Sequence, residues 1–198
     1  MSEVVELTSV SELEDQRLLW SSLLAQTQGA SFFQSLDWLI CYWNHFGDGQ
    51  RLRVLVVMSQ GAPIGILPLI VRRESTRAGP LRVLTYPLHD WGSYYGPIGP
   101  HPSATLLAGL GYIRRTPTDW DLLDLRWVDF DGRDRGRTLN AMRAAGFSSR
   151  GAVWKELATI DTTGTWETYL ANRGGKIPPP HTPPSAPGRA PGNRLRSP

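Results

Sequence analysis

Residues 51–73, "RLRVLVVMSQGAPIGILPLIVRR", decide the fold class. "RLRVLVVM" (51–58) and "IGILPLIVRR" (64–73) are β-branched and leucine-rich runs too short for core helices. The "SQGAP" between them is a turn signal. Together they predict a β-hairpin. Its near-continuous apolar character places it centrally in a sheet covered on both faces.

Outward from the hairpin, the period alternates between strand and helix. "VVELT" (4–8) reads as a short strand. Ser11, followed by Glu12 and Glu14, reads as the start of a helix carrying leucines at helical spacing to about Gln28. "SFFQSLDWLICYWNHFG" (31–47) supplies Ser35 as an N-cap, Asp37 in the first turn, an aromatic stripe and Gly47 as a stop. "LRVLTY" (81–86) is a third strand, 103–115 a helix, and "WDLLDLRWV" (120–128) a further strand. Residues 134–146 read as a helix ending on glycine, 147–160 as one more strand or a bent pair, and "TGTWETYLANRGG" as a helix with a threonine cap. The sum is an α/β (α+β) domain, a central mixed sheet flanked by helices.

After Lys176 the character breaks. Residues 177–198 hold eight prolines and no aromatic residue, so neither a helix nor a ladder can run through them. A disordered Pro/Arg-rich tail is expected. Its composition matches GC-rich codons read in a shifted frame, and that origin is preferred over a flexible linker or an SH3-type PxxP ligand. The tail also explains the charge. The chain carries 21 basic and 18 acidic residues, a net +3. Arg173, Lys176, Arg189, Arg194 and Arg196 lie in 173–198, which has no acid; without them 16 basic residues face 18 acidic ones, a net −2. Bulk charge therefore gives no reason to expect a nucleic-acid partner.

Cys41 is the single cysteine, expected as a small buried hydrophobe, and an intramolecular disulfide is excluded. No apolar run is long enough to span a membrane and no signal pattern opens the chain, so a cytoplasmic protein is expected. His45, His89, His101 and His181 lack metal-ligand spacing, and no metal is expected. No Walker A or GxGxxG motif occurs. His89 and Asp90 beside Ser93 do not form a GxSxG elbow. The acids of "DLLDLRWVDFDGRD" read as a solvated strand end, and Arg114 and Arg115 as solvent-facing. The most site-like stretch is "PLHDWGSYYGPIGPHP" (87–102). There His89, Asp90, Trp91, Tyr94 and Tyr95 offer hydrogen-bonding and stacking groups between glycines, as substrate-binding candidates or as a cover for the core.

Taken in order, "SFFQSLDWLICYWNHFG", the hairpin, "LRVLTYPLHDWGSYYGPIG", "WDLLDLRWV" and "TWETYLANRGGK" resemble GNAT-type acyltransferases of the CelD/BcsL and FemAB-like group, over residues 30 to 176. The resemblance implies two GNAT-like lobes: residues 1–160 as the first, often degenerate, and 161–176 as the start of a truncated second lobe, with 177–198 as the tail. It implies transfer from acetyl-CoA or another acyl-CoA, a co-substrate and not a tightly bound cofactor, held in such relatives by the second lobe. The acceptor would be an amine or hydroxyl of a sugar, polysaccharide precursor or peptide. It implies a donor cradle of pattern Q/R-x-x-G-x-G/A, whose nearest match is "LLAGLG" (106–111), without the leading residue and inside a helix. No catalytic residue carries over. A truncated, weakly active or inactive fragment is expected, poorly soluble where Trp166 and Tyr169 lack their partner lobe. The competing expectation is a non-catalytic sugar- or peptide-binding module.

Overall fold

The computed structural model describes residues 2–77, 79–89, 92, 94–153, 156 and 162–172. The chain divides into two units, residues 1–155 and residues 156–198.

The first unit is α+β, with two sheets flanked by helices. β1 (Ser2–Leu7), β3 (Val54–Ser59) and β4 (Ala62–Leu67) form one sheet in the order β1-β3-β4. β2 (Arg51–Leu52), β5 (Ile70–Thr76), β6 (Gly79–Thr85) and β7 (Leu122–Leu123) form the other in that order. The expected hairpin is present, but each of its arms is broken. β2 and β3 part at Arg53, and β4 and β5 part at Pro68 and Leu69. Proline has no amide to donate to a ladder. The Arg53 N–H donates to the Leu69 carbonyl at 2.9 Å, which carries the chain across the break. All pairings are antiparallel except β6 with β7.

α1 (Val10–Asp15) is capped by Ser9, whose side chain and Glu12 form a reciprocal capping box. The cap is thus Ser9 where the sequence suggests Ser11, because Glu12 must stand three residues after it. The expected single helix is interrupted at Gln16 and resumes as α2 (Arg17–Ala25). α3 (Leu36–Phe46) starts at Ser35, whose Oγ accepts from the Trp38 N–H, and ends at Gly47. It buries Leu36, Trp38, Leu39 and Tyr42. Cys41 falls on the opposite side of the helical wheel and is exposed, contrary to its expected burial.

α4 (Pro102–Arg115) crosses from β6 to β7 and packs on β1, β3, β4 and α5. Gly109 of "LLAGLG" lies mid-helix, buried against Leu67, so this stretch is a packing surface and not a phosphate turn. Arg114 and Arg115 are exposed. Of the strand expected over 120–128, only Leu122 and Leu123 are extended partners of β6. The Asp121 and Asp124 amides bond Arg82 and Leu84 carbonyls, after which Trp127 takes a φ of +67° and turns the chain away. A π-helical turn, Phe130–Asp134, follows, so α5 (Arg137–Ala144) starts three residues later than the pattern suggests. Phe147–Val153 carries no strand; most of 154–160 lies outside the described residues, as do 173–198.

The core joins both sheets to the helices through Leu13, Leu39, Leu55, Leu67, Leu84 and Leu110, none with exposed surface. Each contributes roughly 1.5–3 kcal/mol by leaving water.

In the second unit, α6 (Trp166–Asn172) begins after Thr165, whose Oγ1 accepts from the Thr168 N–H at 3.3 Å, and the Trp166 and Tyr169 rings stack. Among the described residues, no helix is long and apolar enough to cross a membrane, and no cluster of His, Cys, Asp or Glu could hold a metal ion.

Candidate functional site

β6 and β7 run parallel, and open sheets of this kind place ligands beyond the carboxyl ends of parallel strands. Here β6 stops at Thr85, yet its lane does not stay empty. The Tyr95 N–H donates to the Trp127 carbonyl at 2.9 Å, and Ile98 exchanges two 2.8 Å bonds with Ile66. The stretch 95–98 thus runs between β4 and the chain leaving β7. Gly99, with a φ of +120°, then lies so close to β4 that a Cβ would stand 2.8 Å from the Ile64 carbonyl, and the chain enters α4 at Pro102.

A cleft of about 520 Å³ opens at this junction. One wall is the segment after α2, residues 26–29; a second is the loop 94–100; the third is 128–137. The first two are tied firmly. Thr27 Oγ1 accepts from the Gly99 N–H at 2.7 Å, and Gln34 Nε2 donates to the Gly96 carbonyl at 3.3 Å. Ser31 Oγ donates to the Tyr94 carbonyl at 3.3 Å. Gln34 is buried, and its Oε1 accepts from the Ser31 N–H.

The third wall brings the charge. Arg133, Arg135 and Arg137 line the cleft with Asp129 and Asp134. Both acids are occupied with backbone. Asp129 accepts from the Gly132 N–H at 3.0 Å, while Asp134, buried, accepts from the Thr138 N–H and hydroxyl. Arg135 Nε and Arg137 Nη2 donate only to carbonyls, of Gly132 and Arg133, and among the described residues neither meets a carboxylate. Arg135 also takes a φ of +50° ahead of Gly136 at +75°, a conformation disfavoured for an arginine. A second groove of about 440 Å³, between α4 and α5, shares Asp134, Arg135 and Arg137 and continues past Ser103 and Leu107 to Asn140 and Ala144. The two arginines stand where the grooves meet, beside the first turn of α4, whose leading amides have no partners inside the helix.

Of the five residues expected from sequence, two reach this cleft. Tyr94 is half-buried, with the Arg133 guanidinium 5.0 Å from its ring centre. Tyr95 lines the cleft but is 5% exposed, packed on Tyr86 with ring centres 5.0 Å apart. Among the described residues its hydroxyl and that of Tyr86 have no partner, and burial pushes both phenols well above their ordinary range. His89 lies apart from the cleft lining, exposed and stacked on Phe46 at 5.3 Å. Asp90 and Trp91 lie outside the described residues. Sequence reading missed the arginines because it weighed only the acids in "VDFDGRDRGR"; the signal was the repeated Gly-Arg in that stretch.

The chain is similar to the crystal structure of glucosamine-6-phosphate N-acetyltransferase from Arabidopsis thaliana, at 10% identity and a TM-score of 0.41, over 79% of this chain and 98% of that chain. No protein-family model matches the sequence, and no curated protein does.

Proposed function

We propose that residues 1–160 are the first lobe of a GNAT-type acyltransferase of the CelD/BcsL or FemAB-like group. In this view, unlike the relatives it resembles, whose second lobe holds the donor, this lobe itself binds an acyl-CoA-type donor, and it transfers little or nothing by itself. One observation carries this: Arg135 and Arg137 have no acidic partner among the described residues and stand between two grooves at the start of α4. That arrangement suits an elongated ligand with phosphates in its middle. The sequence resemblance and the single parallel crossover through α4 agree with it.

The residues fit the phosphates through side chains and not through a glycine cradle. Pro97, Pro100 and Pro102 have no amide hydrogen, and the Ile98 and Gly99 amides are already engaged. When bound, the donor would supply an activated acyl thioester. Arg135 and Arg137 would hold its phosphates, and Tyr94 would present a ring face to whatever enters beside it. Acyl transfer to an amine or hydroxyl also needs a group to take a proton. Asp129 and Asp134 are committed to backbone amides, which favours binding over turnover. A sugar, polysaccharide precursor or peptide remains the proposed acceptor, α6 the opening of the second lobe, and the cytoplasm the setting.

Calorimetry with CoA and an acetyl-CoA turnover assay test this. CoA should bind, the double variant R135Q/R137Q should weaken it by about tenfold or more, and turnover should stay near background. Brisk turnover, or CoA affinity indifferent to both arginines, would overturn the proposal. Binding of oligosaccharides without CoA would favour the non-catalytic module.

A further inference from the structure

Arg133 lies across the cleft instead of within one wall. Its Nη1 donates to the Gly29 carbonyl at 2.5 Å, over a separation of 104 residues. Its guanidinium covers Tyr94, and its Nε stands 3.9 Å from Asp129 Oδ2. Gly29, Tyr94 and Asp129 belong to the three separate walls. Gly29 takes a φ of +65°, and a Cβ built there would meet the Arg133 Cζ and Nε at 3.5 Å. The guanidinium therefore lies within ordinary contact distance of this stretch of backbone.

These ties are weak for an arginine. The one close acceptor is a neutral carbonyl, and the Asp129 contact is at the outer limit of an ion pair. A guanidinium carries five N–H donors, and the side chain is 47% exposed, so the group is open to solvent and to a ligand. A phosphate offers two charged oxygens in matching fork geometry, where the carbonyl accepts a single bond and carries no charge.

We propose that Arg133 is a strap, tying 128–137 to 26–29 in the free protein, and that an anionic group of the ligand draws it off Gly29. This rests on the cleft being a receptor for a phosphate-bearing ligand. The strap makes the cleft selective, because a neutral molecule offers no acceptor able to outcompete the carbonyl and leaves the walls tied. Release frees the segment 26–31 from the arginine-bearing wall.

Hydrogen exchange on the full chain tests this, with inorganic pyrophosphate as the probe and Arg133→Met as the variant. Methionine keeps an unbranched stem over Tyr94 and has no donor. The amides of Gln26, Thr27 and Ala30 are hydrogen-bonded, so their exchange reports opening of the segment. Both the variant and pyrophosphate-saturated wild type should exchange over 26–31 about tenfold faster than the free wild type, with β3 and β5 unchanged and maltose without effect. If calorimetry shows pyrophosphate bound while exchange over 26–31 slows or stays constant, the strap is refuted and the anion site stands. A variant exchanging like wild type refutes it too. If pyrophosphate does not bind at all, both fall together.

Discussion

Gly65 shows how one residue sets the distance between a sheet and a helix. It lies in β4 beneath α4, and a Cβ there would stand 2.1 Å from Thr105 Oγ1 and 2.8 Å from the Ile98 carbonyl. Thr105 is itself fixed, its hydroxyl donating to the His101 carbonyl at 2.9 Å, so it cannot step aside cheaply. Gly65→Ala should cost about 1–3 kcal/mol, as overpacking does, read as a lower urea midpoint at unchanged slope. Gly109 is the milder case, since its nearest neighbour is the flexible end of Leu67. Neither demand is visible in the sequence, where Gly65 falls in a run read as a strand and Gly109 in one read as a helix.

Among elements, the break between the two sheets needs a clasp. Arg53, at the joint of β2 and β3, donates to both Glu6 carboxylate oxygens on β1, to Asp119 at 3.0 Å and to Thr116 at 3.2 Å. Its side chain is 4% exposed. Arg51 also pairs with Asp119, and the Tyr112 hydroxyl of α4 donates to Glu6 at 2.9 Å. Burial alone would raise the Glu6 pKa, but the bonds from Arg53 and Tyr112 and the arginine charges outweigh it and hold it below its ordinary 4.5. A carboxyl depressed on folding contributes stability above its unfolded value and loses it as pH falls through its folded value. The stability gap between wild type and Glu6→Gln should therefore be widest near neutrality and close as pH drops below 4.5 in urea titrations. A gap that grows with acid would contradict this. Elements with strong periods and caps were legible in advance, α3 with Ser35 and Gly47 best of all. The strand over 120–128 was not, because alternating residues say nothing of where a partner strand ends. β6 offers β7 only two paired residues.

At the scale of the molecule, the described contacts divide the chain after Lys155. Every residue lining the cleft precedes that point. A chain ended at Lys155 should thus melt cooperatively within about 3 °C of the full-length protein and keep the same CoA affinity by calorimetry. A broad, non-cooperative melt would show that the later residues help build the first unit.

The hairpin, the start and stop of α3 and the near-neutral body follow from the sequence by itself. Period, caps and turn residues act within a few positions of one another, and charge is a sum over composition. The cleft belongs to the tertiary structure alone. Arg133 meets Gly29 and Tyr94 only because a parallel crossover and a π-helical turn carry distant segments to one junction. Contacts of such separation depend on how each element packs, a property no local stretch encodes.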